Sequence, residues 1–118
     1  GVSPVGHNAV DGSPRVLVVD DDASVRTLLR RVVRQEGYTC VDAASVEEAL
    51  GLLEGTDVVV ADLQLGDLTG IDLLQAMRER HLDQPFILLT GRPSLESATA
   101  AVEHGAYRYL PGRLHQNA

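Results

Sequence analysis

Two apolar runs in this chain end in acids. Val16 to Val19 lead into Asp20, Asp21 and Asp22, and Val58 to Ala61 lead into Asp62. Short β-branched runs of this kind read as strands buried on both faces, and ligands of an open parallel sheet gather outside the carboxyl ends of such strands. Asp20, Asp21 and Asp62 are therefore expected to converge on one site. Carboxylates crowded together repel and raise one another's pKa values, a cost that a bound cation removes. Their oxygen-only donor set suits Mg²⁺. Asp22, just before a helical pattern, reads instead as a solvated helix cap.

The elements that position these acids alternate. Val25, Leu28, Leu29, Val32 and Val33 recur at helical spacing, with Arg26, Arg30, Arg31 and Arg34 mostly on the other, wet side, and Gly37 ends that helix. A strand near residues 38–42 follows. Ser45 and Glu48 read as a capping box opening a helix through Leu50 and Leu53 to Gly55. After the strand ending at Asp62, Thr69 and Asp72 give a weaker capping signal for a helix carrying Leu73, Leu74 and Met77 toward Arg80. Pro85 restarts the chain into a buried strand at residues 86–89, closed by Thr90 and Gly91. Ser94 is the expected cap of an alanine-rich helix running to Gly105, and residues 107–110 make a fifth strand. Strands alternating with helices imply right-handed crossovers, hence an α/β, doubly wound five-stranded parallel sheet. Beyond Leu110 too little regular chain remains for a last covering helix, so one sheet face is expected to be partly bare.

Composition narrows the function. The 118 residues suit one domain. Residues 1–14 read as a flexible leader, 15–114 as the domain and 115–118 as a tail. A formal net charge of -7 and 3% aromatic content oppose direct nucleic-acid binding. Nothing has the apolar length of a membrane span, and the single cysteine, Cys40, cannot form an internal disulfide, so the cytoplasm is the expected setting. Cys40 reads as a small buried hydrophobe, and His7, His81, His104 and His115 show no ligand spacing. All ten basic residues are arginine.

These motifs, from about Arg15 to Leu114, resemble the receiver domains of two-component response regulators. The resemblance implies strand order 2-1-3-4-5 and assigns roles. Asp62 is the phosphoacceptor. Asp21 is a direct Mg²⁺ ligand, with Asp20 acting largely through water, and Gln64 supplies a backbone carbonyl to the metal. Thr90 and Tyr109 are the switch residues, and Gly70 is the glycine after the phosphoacceptor loop. The implied partner is a sensor histidine kinase or a phosphotransfer protein, with phosphotransfer acting as a switch and not as enzymatic turnover. Two positions depart from the family pattern. Gly112 falls where the family has a lysine, with Arg113 the only local cation, and Gly66 replaces a proline, which is expected to loosen its loop. Residues 111–118 therefore read as an altered or truncated end of a longer chain.

One alternative is a phosphorylation-independent pseudo-receiver that acts as a protein-interaction module. A haloacid-dehalogenase-like phosphatase using Asp20 and Asp22 would need a lysine that is absent, and a flavodoxin-like FMN site would need a Ser/Thr-rich phosphate loop after the first strand. Arg92 to Ala98 weakly resemble receivers attached to cyclic-di-GMP phosphodiesterase output domains. A homodimer through the bare sheet face or the fourth-helix face is a further expectation.

Overall fold

The computed structural model describes residues 12–91, 95–106 and 108–111; for Ser97 and residues 108–111 the backbone alone is described. The elements run β1 (Arg15–Val19), α1 (Ala23–Gln35), β2 (Thr39–Ala43), α2 (Val46–Leu50), β3 (Val58–Asp62), a hairpin of β4 (Gln64–Leu65) and β5 (Leu68–Thr69), α3 (Gly70–Glu79), β6 (Phe86–Thr90), α4 (Leu95–Glu103) and β7 (Arg108–Pro111). The main sheet is parallel throughout, in the order β2-β1-β3-β6-β7. With the small hairpin set aside, that is the expected 2-1-3-4-5.

Alternation along each strand divides the core between the two faces. Leu17, Val19, Val59, Ala61, Phe86 and Leu88 pack with Ala49, Leu53, Leu73, Leu74, Met77 and Ala101, so α2, α3 and α4 share one face. Val16, Val18 and Cys40 form the opposite, smaller core with Leu29 and Val33 of α1. A single helix about 10 Å wide spans roughly two strands spaced about 4.8 Å apart, and α1 sits over β1 and β2. Its apolar stripe is therefore only partly used. Val25 is buried, whereas Leu28 and Val32 remain 39% and 45% exposed. Val58, Val60 and Ile87 stay half-buried and, with Val16, Val32, Val33 and Tyr38, line an open apolar groove of about 340 Å³. Among the described residues α1 is the one helix on this face, and the residues after Pro111, on which the expectation of a bare face rests, lie outside them. The expected leader and tail lie largely outside them. Residues 13 and 14 already engage β2, for the Thr39 N–H donates to the Pro14 carbonyl and the two hydroxyls of Ser13 and Thr39 lie 3.4 Å apart.

The caps differ from expectation in an instructive way. Asp22 caps α1, its Oδ1 accepting from the Ser24 and Val25 N–H groups. Ser45 Oγ accepts from the Glu48 N–H, but the Glu48 carboxylate turns to the Ala44 N–H, so this box is incomplete. The Thr69–Asp72 pair, the fainter signal, forms the full reciprocal box. The helix expected to reach Gly55 stops at Leu50. Gly51 is a poor helix former, and Thr56 draws the following carbonyls into turns, its hydroxyl donating to Leu52 O and its N–H to Leu53 O. Leu53 is buried nonetheless.

Candidate functional site

Strand register brings the acids together. Val19 is level with Ala61 on the neighbouring strand, so the next residues, Asp20 and Asp62, emerge side by side. Asp20 is 2% exposed and Asp62 6%, while Asp21 faces solvent. One carboxylate oxygen from each of the three lies within 4.8 Å of the others. Asp20 is further fixed by its own backbone, with its N–H donating to the Ala43 carbonyl and its Oδ1 accepting from the Asp22 N–H at 2.8 Å.

Three carboxylates at this spacing are mutually repulsive: a pair of like charges 4 Å apart costs about 4 kcal/mol at the effective dielectric near a protein surface. Octahedral Mg²⁺ holds its ligands at about 2.1 Å, which separates ligand oxygens by about 3 to 4 Å. The oxygen-only set and its spread fit such an ion with small side-chain adjustment.

The loop after Asp62 is tight. Gly66, at φ 76°, opens the two-residue turn joining β4 to β5, the position where a type II′ hairpin turn calls for glycine. The glycine makes a short hairpin where proline would shape a different turn. Gln64 lies on this hairpin, two residues beyond Asp62, paired with Thr69. Gly70 answers a separate demand. A Cβ there would lie 2.5 Å from the Asp62 carbonyl oxygen and 2.6 Å from Leu88 Cδ1, so only glycine lets α3 start against the end of β3.

Thr90 ends β6 and is buried, one residue past the Leu89 that pairs with Asp62. Tyr109 lies on β7, level with Leu88, and its side chain is outside the described residues, as are Ser94, Gly112 and Arg113. Cys40 is buried and free, and burial pushes its thiol pKa up. Arg26 and Arg30 are not simply solvated: both bind Asp42, and Arg26 Nη1 also donates to the Asp20 carbonyl. Composition reads these residues as surface charge, because Asp42 is placed beside them only by the pairing of β1 with β2.

A parallel sheet of this order, with an acidic cluster that could hold a cation at the carboxyl ends of β1 and β3, defines a doubly wound α/β domain. The family model of the response regulator receiver domain matches residues 16–118, and the chain belongs to that family. The DNA-binding transcriptional regulator NtrC of Escherichia coli K12 is 37% identical over 99 residues, covering 81% of this chain and 21% of NtrC. The chain thus spans about a fifth of that relative's length. The receiver domain of HemR from Leptospira biflexa, solved without phosphate, superposes with a TM-score of 0.79 at 31% identity, covering 87% of this chain and 85% of that one. A Burkholderia pseudomallei response regulator, solved with a phosphorylated aspartic acid and a calcium ion, gives 0.77 at 32% identity, covering 84% and 59%. NtrC is named as DNA-binding, which limits the expectation of no nucleic-acid contact to these 118 residues; their acidic composition says nothing of other segments in a longer protein.

Proposed function

We propose that this receiver accepts a phosphoryl group on Asp62 from the phosphohistidine of a sensor kinase or phosphotransfer protein in the cytoplasm, and that the modification changes its protein contacts. The observation that carries this is the convergence of Asp20, Asp21 and Asp62 within 4.8 Å at the sheet's carboxyl edge. In this reading Asp21, Asp62 and the Gln64 carbonyl hold Mg²⁺, with Asp20 acting through water. The ion supplies charge neutralisation for the phosphoryl oxygens. One Asp62 oxygen attacks phosphorus in line. The P–N bond to the donor imidazole breaks, and its electron pair stays on that nitrogen, which then takes up a proton. Gly70 and the capped start of α3 keep the Asp62 backbone close and still, which is the positioning such a transfer needs.

Thr90 and Tyr109 are the proposed switch residues. A hydrogen bond to a charged group contributes about 1.5 to 3 kcal/mol, whereas driving a two-state equilibrium from 1:99 to 99:1 takes about 5.5 kcal/mol. The Thr90 hydroxyl therefore needs help, and with no lysine in the chain the shift on phosphorylation is expected to be smaller than a lysine-bearing receiver would show. Where a longer chain carries this domain, NtrC favours a DNA-binding output over the cyclic-di-GMP phosphodiesterase type.

The test is incubation with acetyl phosphate and Mg²⁺, read by intact mass. A phosphoryl adduct that requires Mg²⁺ and vanishes in Asp62→Asn supports the reading. No adduct, together with no spectral change on adding beryllofluoride, would leave the pseudo-receiver reading standing instead.

A further inference from the structure

Arg26 joins three elements at the rim of the acidic pocket. It closes the first turn of α1, and its Nη1 donates to the Asp20 carbonyl oxygen at 2.8 Å. Its Nε donates to Asp42 Oδ2, in β2, at 3.0 Å. Arg30, one turn further along, holds the other oxygen of the same carboxylate at 3.1 Å but has no bond to the acidic segment among those the structure gives. The two arginines thus share an ion-pair partner and differ in one contact.

That contact falls on an informative atom. The Asp20 carbonyl belongs to the peptide group linking Asp20 to Asp21, and rotation of that peptide would swing Asp21, the solvent-facing member of the cluster. The flanking N–H groups of Asp20 and Asp22 are held by the Ala43 carbonyl and by Asp20 Oδ1. Arg26 fixes the carbonyl between them. Its planar fork allows one head group to hold a carbonyl and a carboxylate together, which the single ammonium of lysine does not reproduce. Asp42 offsets one of the two guanidinium charges at the rim.

We propose that Arg26 is a positioning residue of the metal site, setting the plane of the Asp20–Asp21 peptide and hence the reach of Asp21 toward the ion. This rests on the reading of the acidic cluster as a divalent-cation site. The test is calorimetric titration of Mg²⁺ into the unmodified chain and into R26A, R26K and R30A, each first melted to show that it is folded at the titration temperature; R26Q stands in for R26A should that variant not fold. R26A and R26K are expected to weaken Mg²⁺ binding by on the order of tenfold, as loss of a ligand-orienting partner does. R30A, which removes the other half of the Asp42 ion pair, is expected to stay within about twofold, in keeping with the small worth of surface pairs. Unchanged affinity in the Arg26 variants, or an equal loss in R30A, would overturn the proposal. An unmodified chain that binds no divalent ion would instead overturn the reading of the cluster, and this inference with it.

Discussion

Gly70 shows how much one missing methyl group can decide. A Cβ at that position would press on the Asp62 carbonyl and on Leu88 at once, and neither neighbour is the far end of a flexible surface chain. Gly70→Ala is expected to cost about 1 to 3 kcal/mol, the usual price of overpacking, in urea unfolding. Because the strain falls on the Asp62 backbone, it should also weaken Mg²⁺ binding, which calorimetry would read independently of stability. Cys40 makes the opposite case, a reactive side chain made inert by its place. Burial in the core beneath α1 raises its pKa and hides its sulfur. A thiol reagent at pH 8 is expected to label the folded chain far more slowly than the chain in urea, followed by absorbance.

At the scale of elements, helix starts carry information that periodicity does not. Asp22 satisfies two N–H groups at the head of α1, immediately after the acids that define the site. Asp22→Ala is expected to remove about 1 kcal/mol, seen as a lower urea midpoint with an unchanged slope. Arg78 connects two helices more directly. Its guanidinium donates to the Leu82 and Gln84 carbonyls after α3 and to the Gly105 carbonyl after α4. Arg78→Ala is expected to loosen the end of α4 without unfolding the sheet. Amide exchange should then rise at residues 101–106 and stay unchanged in β1 and β3.

For the molecule as a whole, the acidic cluster sets a trade between fold and function. Three carboxylates drawn together destabilise the ion-free chain, and a ligand bound only by the folded state returns stability by mass action. At a Mg²⁺ concentration a hundredfold above its dissociation constant the gain is about 2.7 kcal/mol, a rise of several degrees in melting temperature. Asp62→Asn is expected to melt higher than the unmodified chain without Mg²⁺ and to gain less when Mg²⁺ is added, as thermal melts would show.

The parallel α/β architecture and the convergence of Asp20 and Asp21 with Asp62 were legible in the linear chain, because buried β-branched runs and their terminal acids are local patterns; the strand order came from the resemblance to receiver domains. Asp22 as a cap was legible for the same reason. The completeness of the Thr69–Asp72 box, the early end of α2, the tight turn at Gly66 and the grip of Arg26 on the Asp20 carbonyl were not. Each depends on which carbonyl, carboxylate or backbone strand arrives from a distant part of the chain. Residue types and spacing determined that negative charge would gather at one edge of the sheet; only tertiary packing decided how that charge is held, because hydrogen-bond partners and close backbone approaches are properties of assembled neighbours.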